Sequence, residues 1–276
     1  MHPIFFEIPI PGGQPFAIHT YGVMVALGFF FAISVVTNQA ARRGMDSDLI
    51  VNMLFGLILS GVIGARLLFV GLEWKSYVAR PLSILNIREG GLVFLGGVIC
   101  AALYGLYFIR KHQLPFWKTT DAVILGLPLG QMFGRLGCVA AGCCFGRPTD
   151  LPWAITYTSE LAAGAPLHVP VHPVQLYESF GNLVIFLGLY WLARSNRQKF
   201  DGQILIGYFV AYPLLRIITE TFRGDTVRGF FMKDVLGEVI STSQLISLLL
   251  LLAALVAGFL RRKAGYSVEP PSAVGA

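Results

Sequence analysis

Seven apolar stretches, separated by segments rich in Gly, Pro and polar residues, set the rhythm of the chain. They cover residues 18–41, 49–72, 91–109, 121–140, 176–193, 203–221 and 242–260. A helix rising 1.5 Å per residue needs about 20 apolar residues to cross a hydrocarbon core of about 30 Å, and these stretches meet that length. No ten-residue alternation of apolar and polar positions occurs, which argues against an outer-membrane barrel. The pattern predicts an all-α polytopic membrane protein with seven transmembrane helices. Residues 1–276 read as a single transmembrane domain without internal repeats. Residues 1–17 carry no basic region ahead of an apolar core, so they read as an arm on the membrane surface, not a cleaved signal peptide.

Composition agrees with that picture. The chain is 55% hydrophobic and 13% charged, with a mean hydropathy of +0.68, whereas a soluble domain carries roughly 25% charged residues. The net charge of +6 is not a nucleic-acid signal, because Lys and Arg gather at the ends of the apolar stretches. One set of short connections, residues 42–43, 110–118, 194–199 and 261–263, holds eleven basic residues. The opposite set holds seven (Lys75, Arg80, Arg88, Arg147, Arg223, Arg228 and Lys233), diluted by acids over longer segments. The positive-inside rule then places the N-terminus outside and the C-terminus in the cytoplasm. Loops 73–90, 141–175 and 222–241 become extracytoplasmic, and long loops of this kind commonly carry function.

Three arginines stand within or at the edge of spans: Arg66, Arg135 and Arg216. An arginine at a helix centre costs ~2.5–3.5 kcal/mol on the insertion scale, so each needs an anionic partner or a wet cavity. Glu220 follows Arg216 by one helical turn, and Arg223 shares that face. Mutual pairing of Arg216 with Glu220 is one reading. A shared anionic ligand is the other, since Arg66 and Arg135 have no acid close by in their own spans. A lipid phosphate is the anion a membrane always offers, and the planar guanidinium fork suits it.

The stretch from Gly134 to Gly146 contains Arg135, four glycines and three of the four cysteines. Its glycines serve helix packing or an opening of the helix. Cys138, Cys143 and Cys144 allow three readings: metal ligands, a redox pair, or small apolar packing residues. The spacing lacks the paired Cys-x-x-Cys of zinc sites and no His is near in sequence, so packing is preferred. At the start of the fifth span, His172-Pro173-Val174-Gln175-Leu176-Tyr177-Glu178 concentrates four hydrogen-bonding side chains at a membrane entrance. A polar cavity and a capped helix with interfacial anchors both fit. Tyr21, just inside the first span, reads either as a belt residue or as a site residue.

With these residues in view, the chain resembles the bacterial prolipoprotein diacylglyceryl transferases over most of its length. The resemblance rests on Tyr21-Gly22, Gly64-Ala65-Arg66, the run from Gly90 to Gly97, Gly134-Arg135-Leu136-Gly137 with Gly142 and Gly146, Pro152-Trp153-Ala154, and the segment His172 to Glu178. Arg216, Glu220 and Arg223 match the family's late cluster. The family pattern has Asn, Asn and Glu where this chain has Cys138, Ala141 and Cys143, and a His where Leu95 stands. The resemblance implies transfer of a diacylglyceryl group from phosphatidylglycerol to the lipobox cysteine of prolipoproteins, in the bacterial cytoplasmic (inner) membrane, with the active site toward the extracytoplasmic side. Arg135 and Arg216 would hold the phosphate, Glu220 would orient Arg216, and His172 would take the thiol proton. Arg66, Tyr21, Gly146, Gln175, Tyr177, Glu178 and Arg223 would line the substrate site. The partners implied are phosphatidylglycerol, the prolipoprotein signal peptide and the bilayer, with no nucleic acid and neither a metal nor an organic cofactor. The departures leave three alternatives: a paralogue with another lipid donor or thiol acceptor, a lipid-binding or transport protein, and a membrane thiol-redox protein.

Overall fold

The computed structural model describes residues 3–9, 15–78, 83–84, 90–195, 197–225 and 241–264. Parts of the arm 1–17 and of the loops 73–90 and 222–241 lie outside the described residues, as do Arg80, Arg88, Arg228 and Lys233. The described residues divide into two compact units, one within residues 3–36 and 120–264, the other within 37–119.

The protein is mostly helical and polytopic. The helices are α1 (Thr20–Arg42), α2 (Ser47–Leu72), α3 (Trp74–Val78), α4 (Phe94–Lys111), α5 (Phe116–Ile124), α6 (Gly126–Ala141), α7 (Val174–Arg194), α8 (Gln203–Glu220) and α9 (Thr242–Lys263). Six helical segments among the described residues are long and apolar enough to cross a membrane, with α5 and α6 together making one of them. The stretch expected as a sixth span is α8, which does not reach that apolarity; Gln203, Pro213, Arg216 and Glu220 dilute it. Outward faces carry exposed Phe30, Phe55, Leu59, Leu67, Leu103, Phe180 and Phe259. Such faces are what a lipid environment would cover and what a soluble monomer avoids.

Helix ends follow local chemistry. Asp46 caps α2 by accepting from the amides of Asp48 (2.9 Å) and Leu49 (3.3 Å). Ser241 and Gln244 form a reciprocal capping box at the start of α9. α6 stops at Gly142, whose φ of 72° is the left-handed conformation that glycine adopts at a helix C-terminus.

In the first unit, α6 packs on α7, α7 on α8, and α8 on α9. A core of Ile124, Leu125, Leu189, Ile204 and Tyr208 seals one end. Asp121, fully buried beside that core, accepts from the amides of Gly202 (2.8 Å) and Leu205 (2.9 Å) and from Gln198 Nε2 (2.8 Å). It thereby ties down the start of α8, where backbone N–H groups lack helical partners. Two small antiparallel pairs were not anticipated. β1 (Ile4–Ile8) and β2 (Phe16–His19) form a hairpin in the arm, and β3 (Ile155–Thr156) pairs with β4 (Pro170–Val171) between α6 and α7. The second pair covers Tyr157, Ala165 and Val171.

In the second unit, α2 and α4 meet through glycine. A Cβ built on Gly96 would press on the Gly64 carbonyl and lie 2.5 Å from Leu68 Cβ, and one built on Gly64 would lie 2.5 Å from Cys100 Sγ. Replacing Gly96 by Leu must therefore force the backbones apart. The expected result is a loss of about 1–3 kcal/mol, the usual cost of overpacking, read as a lowered thermal unfolding midpoint of the purified protein.

Arg66 also belongs to this unit. It donates through Nε to the Ile84 carbonyl (2.9 Å), through Nη2 to Ser83 (2.8 Å) and through Nη1 to Gly90 (2.7 Å) and Gly91 (3.0 Å). The rings of Phe69 and Tyr77 flank its guanidinium at 5.8 and 5.4 Å. Main-chain carbonyls thus supply the partners that an arginine in an apolar helix requires. Leu95 is exposed on the first turn of α4.

Candidate functional site

The site grows from the N-terminal half of α7. Its buried polar positions Gln175, Glu178, Ser179 and Asn182 recur at helical spacing and form one polar stripe on a largely apolar helix. The polar members of the stripe reach different partners. Ser179 Oγ donates to the Met132 carbonyl of α6 (3.0 Å). Asn182 Nδ2 donates to the Glu178 carbonyl (2.8 Å). Gln175 Nε2 donates to the Cys143 carbonyl (2.7 Å) and the Tyr157 hydroxyl (3.0 Å). Burial pushes the Tyr157 phenol up to about 12, against the lowering effect of the Gln175 hydrogen bond.

Glu178 is the centre of the stripe, only 2% exposed. Its Oε1 accepts from Arg216 Nη1 at 2.5 Å and from Thr219 Oγ1 at 3.3 Å. Its Oε2 lies 2.6 Å from Arg135 Nε, an ion pair without the alignment of a hydrogen bond. Arg216 Nη2 lies 2.6 Å from Glu220 Oε2 and donates to Ser243 Oγ of α9 at 3.4 Å. One carboxylate therefore joins arginines from α6 and α8. Two arginines and two glutamates balance in charge, which is what makes the cluster tolerable at this depth of burial. Arg135 is engaged through Nε and keeps 20% side-chain exposure, against 11% for Arg216. Arg135 is thus the more accessible of the cluster's two positive charges.

A second layer is built from backbone crossings. Gly146 pairs with Arg223 in an antiparallel bridge, and its amide donates to the His172 carbonyl at 3.1 Å. The Arg147 amide donates to the Phe222 carbonyl (2.9 Å), and the His172 amide donates to the Arg147 carbonyl (2.9 Å). Residues 145–148 therefore thread between the segment before α7 and the segment after α8. A Cβ on Gly146 would collide with the His172 carbonyl and sit 2.8 Å from Val174 Cγ2, so only glycine fits. Arg223 makes a two-point contact with Asp225, Nε to Oδ1 at 2.8 Å and Nη2 to Oδ2 at 2.5 Å. Burial alone would weaken the Arg223 charge, but the Asp225 contact outweighs it and holds the guanidinium more firmly protonated. The Arg147 Nε donates to the Arg223 carbonyl at 3.1 Å.

At the edge of this layer, Trp153 Nε1 donates to the Tyr177 hydroxyl at 2.8 Å. Tyr177 Oη lies 3.4 Å from His172 Nδ1. An indole N–H only donates, so the Tyr177 oxygen accepts from Trp153. The His172 ring also rests against Phe222, 5.2 Å between centroids. Tyr21, at the start of α1, covers Gly137, two residues beyond Arg135: a Cβ there would be 3.0 Å from the Tyr21 ring.

Of the residues singled out from the sequence, Arg135, Glu178, Arg216 and Glu220 form one ion cluster. His172 and Tyr177 make a pair, Gly146 and Arg223 make a backbone bridge, and Gln175 braces the turn after α6. Arg66 belongs to the other unit and holds the carbonyls described above. Sequence reasoning missed Ser179, Asn182, Thr219 and Asp225. A signal for the first two existed: with Gln175 and Glu178 they repeat at helical spacing in an apolar run.

Fold and site together define a polytopic membrane protein with a buried arginine–carboxylate cluster where α6, α7 and α8 meet. A family model described as prolipoprotein diacylglyceryl transferase matches residues 3–260. A phosphatidylglycerol–prolipoprotein diacylglyceryl transferase of Clostridium tetani is 33% identical over 90% of this chain and 93% of its own length. Proteins of the same description from Synechococcus elongatus and Finegoldia magna are 35% and 33% identical, covering 77% and 86% of this chain and 75% and 88% of their own. The chain belongs to the prolipoprotein diacylglyceryl transferase family.

Proposed function

We infer that this chain transfers the diacylglyceryl group of phosphatidylglycerol to the thiol of a lipobox cysteine in a prolipoprotein, the first step of lipoprotein maturation. The observation that carries the reading is the joining of Arg135 and Arg216 by Glu178, at 2.6 and 2.5 Å. In the reaction the thiolate sulfur attacks the glyceryl carbon that bears the phosphate oxygen. A C–S bond forms, the C–O bond breaks, and glycerol phosphate leaves. The phosphate passes from a singly charged diester to a monoester that gains negative charge. Cations already fixed in a low-dielectric site stabilise that gain without reorganising at the moment of reaction. Arg135 meets the phosphate through its terminal nitrogens, Arg216 supports the charge from behind, and Glu178 and Glu220 hold both in place. Gln175, Tyr177, Tyr21 and Gly146 line the substrate site. Arg223 with Asp225 fixes the segment after α8. Arg66 acts here as the organiser of the Gly90-Gly91 turn.

In this reading α8 is the seventh span, shortened in apolar character by the site it carries. The N-terminus is outside, the C-terminus is cytoplasmic, and the cluster opens toward the extracytoplasmic side of the bacterial inner membrane. His172 is the proton acceptor for the incoming thiol. Replacing it by Gln is expected to lower the transfer rate about 10²-fold, the usual worth of a positioned base.

The reading is tested with purified protein in vesicles, using radiolabelled phosphatidylglycerol or phosphatidylcholine as donor and a lipobox peptide as acceptor. Label is expected on the peptide cysteine with the first donor and not with the second. A folded protein that transfers from neither would refute the assignment.

A further inference from the structure

Cys138, Cys143 and Cys144 have no part in the mechanism above, yet the fold brings them to one point. Their three sulfur atoms all lie within 4.8 Å of one another, and all three cysteines are free thiols. Two backbone features produce this. The left-handed stop at Gly142 reverses the chain, so that the Cys143 amide returns to the Cys138 carbonyl at 3.3 Å. Cys144 then adopts φ 58°, a conformation rare for a residue other than Gly, Asn or Asp. Such strain persists only where the surroundings enforce it. Here Gln175 holds the Cys143 carbonyl at 2.7 Å and the Ala163 amide holds the Ala141 carbonyl at 2.7 Å. Simple packing would need neither the reversal nor the strained residue.

We propose that Cys138, Cys143 and Cys144 form a trigonal thiolate site for a soft monovalent metal ion of the copper(I) type. A metal–sulfur bond of about 2.3 Å places the sulfurs of a planar trio about 4.0 Å apart, so the observed cluster needs only a small contraction. Among the described residues, no His, Asp, Glu or further Cys joins the group. Zinc requires a fourth ligand in its structural sites, and hard cations require oxygen. All-sulfur ligation selects soft ions, and three sulfurs complete the shell of copper(I). On binding, the three thiols release three protons, three Cu–S bonds form, and the oxidation state of the metal is unchanged. Arg135 and Arg223 both act electrostatically on Cys144, which offsets the negative charge that the occupied trio carries.

The test uses the full chain, purified in detergent under reductant, and copper(I) supplied as its bicinchoninate complex. The expected result is uptake of one ion per chain from the chelator, with X-ray absorption showing three sulfur neighbours. Cys138→Ser, Cys143→Ser and Cys144→Ser each lose that uptake, whereas Cys100→Ser retains it. No uptake by the folded wild type, two-sulfur coordination, or uptake that survives the three substitutions would overturn the site. A disulfide among the three cysteines in protein purified without reductant would do the same. Should a serine variant fail to fold, the sulfur count in the Cys100→Ser protein decides alone.

Discussion

Arg135→Ala is expected to reduce diacylglyceryl transfer about 10³-fold, the scale set by removing a preorganised group that meets developing charge. The argument is geometric. Arg135 touches Glu178 through Nε only as an ion pair, and it has the greater exposure of the two clustered arginines. It is therefore the one whose terminal nitrogens can meet a phosphate. Its loss leaves Glu178 with Arg216 and Thr219 as partners, so the fold should survive. The measurement is the initial transfer rate at saturating phosphatidylglycerol, with the unfolding midpoint recorded beside it. Arg135→Lys should recover little, because an ammonium cannot hold the carboxylate and a phosphate through separate faces of one planar group.

Glu178→Gln is expected to damage both stability and transfer. The carboxylate is buried and faces two guanidinium groups, so its neutralisation leaves Arg135 uncompensated and Arg216 dependent on Glu220. Removing one partner of a buried ion pair costs about 3–5 kcal/mol. The lower end applies here, since Glu220 remains and glutamine keeps the shape. Transfer should fall about 10²-fold, because a misplaced catalytic cation loses much of its effect. Glu178→Asp would not restore it: a side chain shorter by one methylene cannot span both arginines. Thermal unfolding and the transfer rate together separate this from a purely structural defect, in which activity would track the folded fraction.

The parts of the fold written in local pattern were legible from the sequence. The apolar stretches became helices with ends shifted by a few residues, and Arg216 does pair with Glu220 one turn away. The failures involve partners distant in the chain. Glu178 stands 38 residues before Arg216, and no spacing rule connects them. The convergence of Cys138, Cys143 and Cys144 is not visible in their spacing; a left-handed Gly142 and the positive φ of Cys144 supply it. Arg66 has no acid near it in sequence and reads as a candidate for the shared anion; the structure adds hydrogen bonds to main-chain carbonyls 17 to 25 residues later. A helix can satisfy a buried arginine with loop backbone, and composition gives no sign of it. The α5–α6 break at Leu125 did have a local signal, the Gly126 and Pro128 just beyond it, but it fell inside an apolar run and was read as continuous.

The measurement that tests the central claim most directly is the transfer rate of four proteins: wild type, Arg135→Ala, Glu178→Gln and the double variant. If Glu178 acts by holding Arg135 against the lipid phosphate, the double variant should be about as slow as Arg135→Ala alone, near a 10³-fold loss, because groups that act as one unit are not additive. Losses that multiply would mean the two residues act independently, and the arginine–carboxylate cluster would not be the phosphate site.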